Sequence, residues 1–172
     1  MKRTIMKIDD ILTEYKTNIQ NFINLCKNKI VVFDFDGTLT KFKYASNRLL
    51  PCKQADIQKY AQSGKNLYQD ATTLKTMQYI IKQLDMNNIR VLTTSFPELR
   101  SIKSEIIIKN FSIPQEQIIH SNNDMHKVEL LKEIYKQNLK EIIFVEDTIY
   151  TLMAAEDNLP FVFGYHISSL LP

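Results

Sequence analysis

Five short runs of β-branched and aromatic residues, at 30–35, 89–93, 118–120, 142–145 and 161–163, constrain this chain more than anything else in it. They are nearly continuous in apolar character rather than alternating, which is how strands covered on both faces read. Between them lie stretches with apolar residues at helical spacing. Ahead of the first run, Ile8, Ile11, Leu12, Tyr15, Ile19, Phe22 and Ile23 form one stripe, and further stretches span about 71–84, 97–109, 127–135 and 148–157. This alternation predicts an α/β, Rossmann-like three-layer fold, with a central, mostly parallel five-stranded sheet and helices on both faces. Ligands of such sheets bind at the carboxyl ends of the strands, so any chemistry is expected there.

The 172 residues, 44% of them hydrophobic, suffice for one well-cored domain with a small insertion and are too few for two ordinary ones. The expected division is an N-terminal helical extension over 1–28, packed on the core, and a main domain over 29–172 with a small helical cap or flap within 41–88. The net charge of +3 comes from lysines and arginines scattered among acids, which suits an anionic substrate and does not indicate nucleic acid. Cys26 and Cys52 lack the spacing of a zinc site or redox pair and are expected to be reduced thiols. No apolar run approaches the ~20 residues of a membrane span, and no signal-peptide core is evident, so a soluble, cytoplasmic protein is expected.

The first run ends Val32-Phe33-Asp34-Phe35-Asp36-Gly37-Thr38. In extended geometry acids two positions apart project to one side, and charge at the end of an apolar strand is costly unless a cation or a function requires it. Gly37 allows a sharp turn, and Thr38 can hydrogen-bond to hold the loop. The second run ends Leu92-Thr93-Thr94-Ser95, where a hydroxyl and backbone amides can hold phosphoryl oxygens; the register leaves both Thr93 and Thr94 open. After the third run, Asn123-Asp124-Met125-His126-Lys127 opens a helix, with Asn123 or Asp124 as its cap. A lysine in that place can neutralise a nucleophile and a transferring phosphate together, whereas Lys132, the nearest other lysine, falls inside the helix. The fourth run ends Val145-Glu146-Asp147-Thr148, adjacent acids of the kind that hold Mg²⁺ or cap a helix.

The segment from Asp34 to Thr38 resembles the first motif of the haloacid dehalogenase superfamily, Asp-x-Asp-x-Thr after apolar residues. The other strand ends are similar, in order, to that superfamily's remaining motifs, with Lys127 standing twenty residues before Asp147. The resemblance spans about 30–165. It implies that Asp34 is a nucleophile forming an aspartyl-phosphate and that Asp36 acts as acid to the leaving oxygen and then as base toward water. It further implies that Thr93 or Thr94 and Lys127 bind the substrate phosphate. Mg²⁺ is then held by Asp34, the Asp36 carbonyl and Asp147, with Glu146 orienting a metal-bound water or ligating directly. Glu146-Asp147 with the later Ala154-Ala155 is similar to the branch containing sugar-phosphate phosphatases and β-phosphoglucomutase. An acid at Asp36 favours phosphatase or phosphomutase chemistry, since dehalogenases of the superfamily lack one and ion-pumping ATPases have threonine there. One departure stands out: many members carry a further acid four or five residues after the fourth motif, where this chain has Thr151 and Leu152.

The leading expectation is a Mg²⁺-dependent phosphohydrolase acting on a phosphate monoester. The alternatives are a sugar-phosphate phosphomutase and a non-catalytic binding or regulatory module. The basic and aromatic stretch at 41–48 reads as a flap, with Lys43 or Arg48 as substrate contacts. A small cap implies an open site for a phosphorylated small molecule or an exposed phosphate on a macromolecule, or one completed by a second copy of the chain.

Overall fold

The computed structural model describes residues 8–41, 43–44, 48–49, 68 and 71–171. Helix α1 (Ile8–Leu25) leads into β1 (Ile30–Phe33), followed by the short strands β2 (Thr40–Lys41), β3 (Lys43–Tyr44), β4 (Arg48–Leu49) and β5 (Thr72–Thr73). From there strand and helix alternate: α2 (Lys75–Gln83), β6 (Ile89–Thr94), α3 (Arg100–Phe111), β7 (Ile118–Ser121), α4 (Asp124–Asn138), β8 (Ile142–Glu146), α5 (Ile149–Asn158) and β9 (Val162–His166). Five strands form the central sheet in the order β7-β6-β1-β8-β9, and every pairing in it is parallel. The chain runs outward from β1 to β6 and β7, then returns to the other side of β1 for β8 and β9. Strand order therefore reverses at β1, and a crevice opens at the carboxyl ends of the strands around it.

The continuous apolar runs have a direct cause in the two layers of helices. Val31, Phe33, Val91 and Val145 pack with Phe22 of α1, Ile80 of α2 and Ile107 of α3 on one face. Ile30, Val32, Leu92 and Phe144 pack with Leu131 of α4 and Leu152 of α5 on the other. Successive side chains on a strand point to opposite faces, so a strand covered on both sides needs apolar residues at every position. Helix α1 shares this core: Phe22 tilts against Tyr165 of β9 with ring centroids 4.7 Å apart.

Local chemistry sets the helix ends. Asn123, rather than Asp124, caps α4, its side chain accepting from the His126 N–H at 2.8 Å. The stretch predicted as helical from 97 begins with a 3-10 turn, Pro97–Leu99, before α3 proper. The helix predicted from 71 starts at Lys75 instead, because Thr72 and Thr73 first pair with Lys41 and Thr40. Strands β3 and β4 pair antiparallel as a hairpin just after the β1 turn. The side chains of Lys43 and Arg48, Cys52, and most of the expected cap lie outside the described residues. Among those described, no helix is long and apolar enough to cross a membrane.

Candidate active site

The backbone beyond β1 makes a tight turn. Asp34 extends the strand by one residue, its N–H donating to the Val145 carbonyl at 2.9 Å. The chain then folds back, with the Leu39 and Thr40 N–H groups both donating to the Phe35 carbonyl and the Gly37 N–H donating to the Thr40 carbonyl. Gly37 has a φ of 81°, and a Cβ built on it would overlap Asp147 Oδ2, so the turn lies directly against that carboxylate. Thr38 is fully buried, but its Oγ1 makes no hydrogen bond, so these backbone bonds close the turn without the expected threonine contact.

Lys127, in the first turn of α4, donates to Asp34 Oδ1 at 2.8 Å and to Glu146 Oε2 at 2.7 Å. All three residues are buried. Burial works against the lysine's charge, but Asp34 and Glu146 outweigh it and hold its pKa above the ordinary lysine range. The other oxygen of Glu146 accepts from the N–H groups of Asp147 and Thr148 at 3.1 and 3.2 Å. Both Glu146 oxygens are thereby engaged. The loop is fixed further by His166 at the end of β9, whose Nε2 lies 2.9 Å from the Asp147 carbonyl.

Asp34, Glu146 and Asp147 each offer a carboxylate oxygen within 4.8 Å of the others. Three carboxylates stand against the single ammonium of Lys127 in a largely buried cluster, so ionising all three is costly without a further cation. The strain shows in Glu146, which burial, and then the charge of Asp34, push up to about 9. Asp147 is raised for the same leading reason, burial. A divalent cation that prefers hard oxygen ligands matches both the donor set and the missing charge. Thr151 and Leu152, standing where the resemblance suggests a further acid, are buried on α5.

Asp36 has a different partner. Lys103, the fourth residue of α3, is only 2% exposed and pairs with Asp36 Oδ2. Its ammonium also donates to Thr93 Oγ1 at 3.1 Å and to the Thr94 carbonyl at 2.6 Å. The Tyr68 hydroxyl lies 3.4 Å from the other Asp36 oxygen. Burial raises the Asp36 pKa above the usual carboxylate range, with Lys103 pulling it back. The two acids that extended geometry places side by side are thus held by different lysines, because β1 ends at Phe33 and Asp36 lies in the turn. Lys103 was not singled out in the sequence. It sits on the inward stripe of α3, with Leu99, Ile107 and Phe111 at four-residue intervals, and a lysine in such a stripe was the available signal.

Of the two threonines, Thr93 is fully buried on Lys103, whereas the Thr94 hydroxyl bonds the Ser121 hydroxyl at 2.9 Å. A cavity of about 340 Å³ opens beside this half of the site, with Asp36, Lys103, Tyr68, Thr94, Phe96 and Asn122 in its walls. Behind it His120 bridges two serines, Nδ1 to Ser95 Oγ at 2.9 Å and Nε2 to Ser104 Oγ at 3.0 Å. Burial, and then the charges of Lys103 and Arg100, bring the His120 pKa down to about 4.

Fold and site together define an α/β protein with a buried acid and lysine cluster at the carboxyl ends of a parallel sheet. No family model and no curated protein matches the chain. Among solved structures it is similar to a haloacid dehalogenase-like family hydrolase from Streptococcus pneumoniae, at 16% identity and a TM-score of 0.48, over 82% of this chain and 88% of that one.

Proposed function

We propose that this chain hydrolyses a phosphate monoester through an aspartyl-phosphate on Asp34, with Mg²⁺ bound. The observation that supports this most is the buried acid cluster around Lys127: the Asp34 and Glu146 carboxylates share one ammonium, and Asp147 brings a third carboxylate within 4.8 Å with no cation of its own among the described residues. Asp34, the Asp36 carbonyl and Asp147 would hold the ion, while Glu146, with both oxygens engaged, fixes Lys127 and the loop. When bound, Mg²⁺ offsets the repulsion between an anionic nucleophile and an anionic phosphate.

The residues divide the reaction between them. An Asp34 oxygen attacks phosphorus as the bond to the leaving oxygen breaks, and Asp36 in its acid form gives its proton to that oxygen. Asp36, now a carboxylate, takes a proton from water as the water oxygen attacks phosphorus. The bond to Asp34 breaks and phosphate departs. Lys127, with a hydroxyl or amide from Thr93 or Thr94, stabilises the phosphoryl oxygens. The raised pKa of Asp36 suits a group that must carry a proton at the start. A leaving group that takes its proton from Asp36 would lie toward the cavity beside that residue, which has room for part of a phosphorylated small molecule or for a phosphate exposed on a macromolecule.

Purified protein should cleave p-nitrophenyl phosphate with Mg²⁺ and stop in EDTA, and Asp34→Asn should reduce turnover to background, a loss of about 10⁴-fold or more. Turnover by wild-type protein that persists in EDTA, or by Asp34→Asn at near wild-type rate, would overturn the proposal.

A further inference from the structure

We infer that Lys103 is the positioning residue for Asp36, aiming its carboxyl group at the leaving-group oxygen, so that its contribution grows with the leaving group's need for a proton. The inference rests on the phosphohydrolase reading and adds to it a residue on the leaving-group side. The three N–H bonds of the ammonium have three acceptors: Asp36 Oδ2, Thr93 Oγ1 and the Thr94 carbonyl. A tie between α3 and the end of β6 needs only the last two. The ion pair with Asp36 goes further, because it immobilises a carboxylate whose side chain is otherwise a third exposed to the cavity. Held among the described residues only by the long 3.4 Å contact with the Tyr68 hydroxyl, such a side chain at a cavity mouth would sample several rotamers, and misplacing an acid by about 1 Å slows proton transfer. Lys103 has no contact with Asp34, Glu146 or Asp147 among the bonds of the described residues, and its bonds to Thr93 and Thr94 bear on the phosphoryl group of every ester alike, so the part of its effect that varies with the leaving group is confined to the proton-transfer half of the reaction.

Phenyl phosphate and p-nitrophenyl phosphate test this, since they differ little in shape and greatly in leaving-group basicity. The quantity to measure is kcat/KM, which reports formation of the aspartyl-phosphate. Lys103→Met keeps the apolar stem and removes the ammonium. It should lower kcat/KM about 30- to 100-fold for phenyl phosphate, on the scale of a general acid's contribution, and by less than about fivefold for p-nitrophenyl phosphate. A parallel fall on both esters overturns the inference. Because Lys103→Met leaves Asp36 unpaired and can unfold the chain, the same comparison is made in an Asp36→Asn background, where both charges are gone. There, adding Lys103→Met should leave the ratio of kcat/KM on the two esters unchanged within about twofold, because a residue that acts on the leaving group only through its partner is fully coupled to it. A further tenfold change in that ratio shows that Lys103 acts on the leaving group other than through Asp36 and overturns the inference. Wild-type protein that cleaves neither ester overturns the phosphohydrolase reading and this one with it, whereas an active wild type with parallel losses overturns this one alone.

Discussion

Two lysines serve the two halves of the site, and their surroundings differ instructively. Each is the fourth residue of the α-helix that follows a strand of the sheet, Lys127 in α4 and Lys103 in α3. They are similarly buried, at 4% and 2% exposed. A cation near a helix N-terminus opposes the helix dipole, so neither position is favourable without carboxylates in front of it. Lys127 faces two buried carboxylates in a closed cluster, whereas Lys103 faces one carboxylate at the edge of a cavity. A closed cluster suits a phosphoryl group and a metal ion, which must be held the same way for every substrate. An open one suits the leaving group, which varies.

Removing each ammonium is the harshest way to break this contrast. Lys127→Met leaves Asp34 and Glu146 facing each other without a cation, and losing one partner of a buried ion pair costs about 3–5 kcal/mol. The melting temperature should fall markedly, activity should drop on all esters alike, and added Mg²⁺ should recover part of the stability by supplying the missing charge. Equal stability of Lys127→Met and wild-type protein would show that the cluster is not held by its ammonium. Selective loss, confined to poor leaving groups, belongs to Lys103 and not to Lys127, and finding it at Lys127 would reverse the assignment of the two halves.

Gly37 gives a more local test because it lies between the halves. In Gly37→Ala a side chain at φ 81° would carry strain of about 1–3 kcal/mol, and its Cβ would push against Asp147 Oδ2. The displacement shifts Asp147 within the three-carboxylate cluster, on the Lys127 side of the site. The Mg²⁺ concentration needed for half-maximal activity should therefore rise about tenfold or more, the scale on which disturbed metal-site neighbours act. The ratio of rates on phenyl and p-nitrophenyl phosphate should stay at its wild-type value. A change in that ratio with no change in the Mg²⁺ requirement would mean that Gly37 shapes the Asp36 side instead.

These two halves were unequally legible in the sequence. Strands β1, β6 and β8 announce themselves because burial on both faces forces continuous apolar runs, and the acids stand out because they fall where such runs end, while Lys127 stands out only as the lysine that opens the helix after the third run, in series with the other motifs. Strands β2 to β5 span two residues each, too short for any period to show. The divergence of Asp34 and Asp36 was hidden because alternation holds only while the chain stays extended, and β1 stops at Phe33. Lys103 was hidden for another reason. Its charge suggests the solvent face of α3, while its four-residue spacing from Leu99 and Ile107 places it inward, and the carboxylate that reconciles the two lies 67 residues away in sequence. The different surroundings of Thr93 and Thr94 were likewise out of reach, since they come from partners elsewhere in the chain, Lys103 for the first hydroxyl and Ser121 for the second.

The smallest effect expected at neutral pH concerns His120, which supports the Lys103 half from behind. Its two nitrogens bond Ser95, just beyond β6, and Ser104, the neighbour of Lys103 on α3. One ring nitrogen donates and the other accepts only while the imidazole is neutral. The charged groups acting on it are Lys103 and Arg100, both cationic, and with burial they bring its pKa to about 4 from an ordinary value of 6.5. Between these two values the unfolded chain binds the proton and the folded chain does not. Stability therefore falls as pH drops from about 6.5 toward about 4, with no contribution from this group above the window and no further loss below it. His120→Gln, which can still donate to one serine and accept from the other, removes the titration. The difference in melting temperature between variant and wild type, followed across that window, should move in favour of the variant as the pH is lowered. Parallel curves would mean that His120 takes up its proton freely in the folded protein. The ammonium of Lys103 would then exert no effective field on it, and the cavity half of the site would be more open to water than its counterpart at Lys127 by a wider margin than its geometry indicates.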